Sequence, residues 1–266
     1  MTLTVLPFHD DELFTGYVSR CARALSLTSV VDFLADLRAL QADFQSGQPE
    51  AISRVAKALG VDPARAKWQT FSRDDGQNVR LAGVVLHDKR LLRSQFRVCP
   101  ACLRADIGTV LSPKSALNAY PRMAWSIRPV VQCPQHNLLL VHPLEASQPH
   151  EFSQSWEAWL QDIVDGDMDV LVPGGAGYEA HVSDVFSGNP SSLGWADGFP
   201  LDALGLIAET LGVAKLFGAG RRLADCGVCQ TSCPPISCGV SDFRGAEFVF
   251  WIQPDRSGRL PVSGFS

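Results

Sequence analysis

Two four-residue stretches, Cys99-Pro100-Ala101-Cys102 and Cys133-Pro134-Gln135-His136, repeat one pattern with thirty residues between them. Each carries two soft donors at the spacing where a tight turn lets both side chains reach one metal ion, at about 2.0–2.3 Å. Together they supply three thiolates and one imidazole, which completes a tetrahedral shell and leaves no position for water or substrate. The spacing therefore predicts one structural Zn2+ on Cys99, Cys102, Cys133 and His136, an ion that replaces part of a hydrophobic core and couples metal binding to folding. Taken alone, Cys99 and Cys102 also suit a thiol redox pair. That chemistry calls for Cys99 at the start of a helix in a strand-helix-strand setting, which the flanking sequence does not suggest, and it leaves Cys133 and His136 without a role.

The other cysteines read differently. Cys21 falls on a helical stripe with Leu13, Tyr17 and Leu25, each four residues from the next, and is expected to be a packed, inert thiol. Cys226, Cys229, Cys233 and Cys238 crowd the end of the chain on short, uneven loops, so no second zinc site is expected from them. The N-terminus has no basic start, and no apolar run approaches the ~20 residues of a membrane span. A cytoplasmic protein with no membrane partner is expected, in a compartment where paired cysteines are metal ligands more often than disulfides.

The net charge of -5 hides an asymmetry. From Glu50 to Asp106 there are eleven Lys and Arg against six Asp and Glu, whereas Pro129 to Ala214 holds twelve acids and no Lys or Arg. The first region can face phosphate; the second suits a protein partner or solvent. Within the basic region, Pro49 opens a helix with Ile52, Val55, Ala56 and Leu59 on its buried face, Gly60 ends it, and Asp62 caps another that begins at Pro63. Two short helices across a glycine turn, with Arg65, Lys67 and Gln69 on the second, have the form of a helix-turn-helix; an ordinary helical hairpin with solvated charges fits the same pattern. Lys89, Arg90, Arg93 and Arg97, with Arg104 beyond them, then form either a phosphate-contacting edge or a solvated face.

Elsewhere, Ser29 with Asp32 resembles a capping box for a helix running through Phe33, Leu34, Leu37 and Leu40, followed by a loop from Gln41. Trp156, Trp159, Leu160 and Ile163 mark another helix, residues 170–182 and 186–200 read as Gly/Pro-rich loops, and the segment from Leu201 is helical. The fold class expected is mainly α: an N-terminal helix-turn-helix, a small zinc-ribbon-like module with short strands, then further helices. The corresponding segments are a helical domain over 1–80, a zinc-binding module over 81–145, an acidic helical region over 146–224, and a poorly ordered Cys-rich tail over 225–266.

Several motifs in one order resemble the TniQ family of transposition proteins: Leu6-Pro7, Ser19-Arg20 on a helix, Cys99 to Cys102, Tyr120 to Trp125, and Cys133 to His136 followed by aliphatic residues. The likeness covers about residues 5 to 145 and is weaker through the helix from Leu201. It implies a target-selection accessory factor, not an enzyme, that contacts DNA or a targeting complex and recruits a transposition ATPase; it also implies a helix-turn-helix over residues 52–71 and zinc on the four donors. The resemblance stops near Asp225, which reads as a disrupted frame and a truncated family member. Two other functions fit the residues: a zinc-stabilised helix-turn-helix transcriptional regulator and, third, an enzyme with a redox or zinc-bound Cys pair.

Overall fold

The computed structural model describes residues 6–74, 76–93, 96–108, 112–142, 152–155, 160–172, 177–190, 193–217, 237–241 and 247–251. Five helices come first: α1 (Phe14–Ala24), α2 (Val30–Asp36), α3 (Gln41–Gln45), α4 (Pro49–Ala58) and α5 (Pro63–Trp68). They close around Phe14, Tyr17, Val18, Phe33, Leu34, Phe44, Ile52, Val55 and Leu59. Cys21 lies in this core with no exposed surface, and burial pushes its thiol up to about 12, which makes it inert.

Two expectations for this region change. The second helix stops at Asp36, because Arg38 takes a left-handed φ of 53° and Ala39 N–H turns back to the Leu34 carbonyl; Leu40 is left 70% exposed. Ser29 does cap that helix, its Oγ accepting from Val31 N at 3.0 Å. The segment from Gln41 is not a loop but α3, which forms because it buries Phe44.

An antiparallel sheet follows, with β1 (Ser72–Arg73), β2 (Asn78–Leu81) and β3 (Val84–His87) in that order. Leu81 pairs with Val84 across Ala82-Gly83, both at positive φ (49° and 75°), the two-residue turn whose twist matches the strands. Next come α6 (Pro100–Ile107), α7 (Pro113–Ala116), a 3-10 turn at Met123–Ser126, α8 (Phe152–Ser155), α9 (Leu160–Asp165), α10 (Gly177–Ser187) and α11 (Leu201–Phe217). Strands β4 (Ser237–Ser241) and β5 (Glu247–Trp251) pair antiparallel. The loop expected over 170–182 thus becomes helix from Gly177, where Tyr178, Val182 and Phe186 find a second core. That core runs without a break from Val79, Leu81 and Leu86 through the cysteine module to Leu201, Leu204 and Ala208. Trp156, Trp159, Cys226, Cys229 and Cys233 lie outside the described residues. Among the described residues no helix is long and apolar enough to cross a membrane.

The two cores meet at α1. Gly16 lets the helix touch Pro121, for a Cβ there would sit 2.1 Å from the proline Cγ. One turn on, Arg20 is wholly buried and its donors are shared out: Nε and Nη2 to the Glu12 carboxylate at 2.8 and 2.7 Å, Nη1 to the Leu117 carbonyl at 2.7 Å, and Nη2 to the Pro7 carbonyl at 2.9 Å. Tyr17 and Tyr120 rings lie 5.8 and 5.7 Å from the guanidinium carbon. Glu12 is equally buried, and burial pushes its carboxyl up to about 7 against the pull of Arg20. Replacing Arg20 with Met is expected to cost about 3–5 kcal/mol, seen as a lower urea midpoint, because the buried Glu12 carboxyl loses its partner and must take up a proton, and the carbonyls of Pro7 and Leu117 lose their donor. Changing Glu12 to Gln in the same chain should recover part of that loss.

A second buried carboxyl behaves differently. Glu179, in the first turn of α10, has no exposed surface, and burial lifts it to about 8. Since the folded value exceeds that of a free Glu, its contribution to stability is full below about 4.5 and is lost as pH rises through about 8. Thermal melts at pH 6 and pH 8.5 are expected to show a fall that Glu179→Gln reduces.

Candidate metal centre and basic surface

The first donor pair sits at the start of α6, where Cys99 is the N-cap, Pro100 occupies the first turn and Cys102 follows one turn on. The helix start that a redox pair calls for is therefore present. It does not restore the redox setting, because no strand-helix-strand unit surrounds the pair among the described residues. The helix N-terminus instead favours thiolates by its dipole and its free N–H groups. The second pair lies in a hairpin knuckle: Cys133 N–H donates to the Leu138 carbonyl at 2.8 Å, and Asn137 N–H to the Cys133 carbonyl at 2.9 Å. Asn137 takes a left-handed φ of 53°, which Asn tolerates better than most residues, and this turns His136 back toward Cys133. One pair on a helix and one on a knuckle is the observed arrangement, in place of paired ribbon hairpins.

The four donor atoms lie within 4.8 Å of one another, with three of the residues buried and His136 partly so. Cys102 Sγ is 3.6 Å from Cys133 Sγ. His136 Nδ1 lies 3.5, 3.4 and 3.5 Å from the sulfurs of Cys99, Cys102 and Cys133. A tetrahedron with metal–sulfur bonds of about 2.3 Å and a metal–nitrogen bond of about 2.05 Å has edges of about 3.8 Å (S to S) and about 3.5 Å (S to N). The observed spacings match those edges, so the cluster can hold a metal ion and its donor set is compatible with zinc. Hydrogen bonding from Cys102, then from Cys99, draws the Cys133 thiol far below the ordinary thiol range, while the same shared hydrogen bonds push the Cys102 and Cys99 thiols up; a bound cation would draw all three to thiolate.

Salt bridges brace the module from outside. Arg122 donates to both oxygens of Asp106 on α6 at 2.9 and 2.8 Å, while its guanidinium stacks 4.2 Å from the Tyr120 ring and 4.8 Å from that of Trp125. Arg104, also on α6, donates to the Ile163 carbonyl at 2.8 Å and pairs with Asp169. The knuckle extends to residues 170–172 through Leu139 N–H to the Val170 carbonyl and Val172 N–H to the Asn137 carbonyl. Sequence reasoning placed Arg104 on the basic edge and gave Arg122 no role of its own; the available signal for Arg122 was its place between two aromatic residues.

The basic residues singled out from the sequence do not share one surface. Gln69 is buried, its Nε2 donating to the carbonyls of His9, Asp10 and Glu12 at 2.7–2.9 Å. Arg97 is buried, donating to the carbonyls of Ile127, Trp125 and Arg128, and burial, then Arg128, pulls it down to about 9. Arg65 donates to the Phe8 carbonyl at 2.7 Å, pairs with Asp10 at 2.7 Å and stacks on Phe8. Arg90 pairs with Glu209 on α11. Arg93 is half-buried and reaches the Gln45 carbonyl at 3.5 Å. Lys67 and Lys89 are exposed.

Atomic emission on protein purified without chelator is expected to give about one zinc per chain. Cys102→Ser or His136→Ala should lose the metal and lower the melting midpoint by about 10 °C or more, as should chelation of the unaltered protein.

Against known proteins, a family model described as TniQ matches residues 3–140, just over half of the chain. No curated protein matches the chain.

Proposed function

Since the chain belongs to the TniQ family, and so to proteins associated with transposition, we propose that it is a target-selection accessory factor. It contacts DNA or a DNA-bound targeting complex with its basic front part and recruits the transposition ATPase through another surface. The observation that carries this reading is that the family match spans both donor pairs together with Arg20, which bonds to Pro7, and Arg122, which clamps the helix of the first pair. Those residues build a scaffold, and a bound metal held by four protein donors has no open position for chemistry, which favours an adaptor over an enzyme.

In this reading α4 and α5 form a helix-turn-helix, supported by the Gly60 turn at φ 71° and by Asp62, whose carboxylate accepts from Ala64 N and Arg65 N. The phosphate contacts fall to Lys67 and Lys89, with Arg93 at the margin, because Arg65, Gln69, Arg90 and Arg97 already bond within the fold. The same helix pair and metal module also suit a zinc-stabilised transcriptional regulator, and the partner separates the two.

Pull-down with the cognate transposition ATPase is expected to retain it; capture of RNA polymerase or a promoter fragment alone would favour the regulator. In gel-shift titrations at low salt, Lys67→Glu and Lys89→Glu should each weaken duplex binding and reduce the slope of log K against log salt by about one. Arg97→Gln is expected to lower the melting temperature instead.

A further inference from the structure

Trp68 ends α5 with its indole in water: it is 54% exposed, while its neighbours Ala66 and Gln69 are buried. The ring is nonetheless held in place. The Trp68 carbonyl accepts from Ala82 N at 2.8 Å, and one edge of the indole rests on Gly83 in the β2–β3 turn. A Cβ at Gly83 would stand 2.5 Å from the Trp68 Cη2 and 2.8 Å from Cζ3, so the turn needs glycine for this contact as well as for its φ of 75°. Other aromatic residues of the N-terminal part, Phe8, Phe14, Tyr17 and Phe44, pack ring against ring. Among the described residues no ring or cation stacks on Trp68.

Two cations of this part of the chain are available: Lys67 is the preceding residue and exposed, and Arg73 stands exposed on β1, at the end of the sheet away from the Gly83 turn; neither forms an ion pair among the described residues. Arg80, on the outer face of β2, is neutralised by Asp74 at 3.1 Å. A fixed, half-exposed indole beside unpaired cations combines the two elements of single-strand recognition: a π-face on which any base stacks, and positive charge that follows the backbone. A duplex hides its base faces in its own stack and cannot use the first of these. Exposed Trp also marks protein interfaces, but the unpaired cations favour a polyanion.

We infer that Trp68 is a stacking platform for an unpaired nucleobase, with Lys67 taking the adjoining phosphate and Arg73 one farther along the strand, so that the nucleic acid meeting this surface is single-stranded at the point of contact. This rests on the reading of the protein as a nucleic-acid-contacting factor and narrows the class of its ligand.

The test titrates the full chain, as wild type, Trp68→Ala, Trp68→Leu, Trp68→Phe and Lys67→Glu, against four fluorescein-labelled probes of equal length. These are oligo(dT), oligo(rU), an abasic strand with the same phosphates, and a mixed-sequence duplex. The wild type should prefer oligo(dT) or oligo(rU) over the abasic strand. Trp68→Ala and Trp68→Leu should lose about 5- to 150-fold on the base-bearing strand and match the abasic level. Trp68→Phe should keep most of the affinity, and the duplex should change less than about twofold with any Trp68 variant. Trp68→Leu keeps an apolar side chain at the end of α5, so it carries the test if the alanine variant melts early. Equal affinity for base-bearing and abasic strands, or an equal loss on duplex and single strand, overturns the stacking role and leaves duplex binding standing. No binding to any probe at low salt overturns both this inference and the nucleic-acid half of the proposed function.

Discussion

A guanidinium with no exposed surface holds the N-terminal half of this protein in register. Arg20 reaches the Pro7 carbonyl before its own helix, the Glu12 carboxylate at the approach to that helix, and the Leu117 carbonyl almost a hundred residues on. Burying a pair of opposite charges is costly, and it is tolerated only where the remaining donors are also matched, as they are here. Because these partners lie on separate segments, none can move without stranding a charge. Gly16 against Pro121 sets how closely α1 can lie to the same segment, and Ser19 on α1 accepts from Ser153 N at 2.9 Å. The Ser-Arg pair on α1 thus serves as a joint between the helical core and the cysteine-containing core.

The donor cluster depends on that frame in a graded way. Within each pair, local turns set the geometry: a helix start for Cys99 and Cys102, a left-handed Asn137 for Cys133 and His136. Between the pairs, thirty residues of chain must return to within a few ångströms. The return is guided by Val98 and Val141, which exchange both main-chain hydrogen bonds, and by Arg122 clamping Asp106 on the helix that carries the first pair. Arg104 and the strand-like contacts of residues 170–172 then fasten the acidic part of the chain to the same module. The acidic segment is therefore a structural wall of the module as well as a surface.

Charge was the least legible property. Eleven cations between Glu50 and Asp106 read as a surface, since Lys and Arg are mostly exposed. Yet Arg97 is drawn inside by three carbonyls of the segment 125–128, and Arg65 and Arg90 are matched to Asp10 and Glu209. No local pattern distinguishes such residues from Lys67 or Lys89, because their partners lie 28 to 119 residues away. Elements whose apolar periodicity was strong, α1, α4 and α11, were readable from the chain. The short α3 and the helix from Gly177 were not, because their helicity comes from burying Phe44 and Tyr178 against distant residues and overrides the local turn-forming composition.

By itself, the sequence determined the four-donor set, the capping of α2 and α5, and the family, because each rests on residues close in the chain or on several motifs in a fixed order. Only the tertiary structure decided that Cys99 begins a helix, that Glu179 is buried, that Trp68 stays in water over Gly83, and which cations face outward. The division has one physical cause: donor spacing and caps act through a few bonds, whereas burial and charge pairing depend on what the folded chain brings alongside.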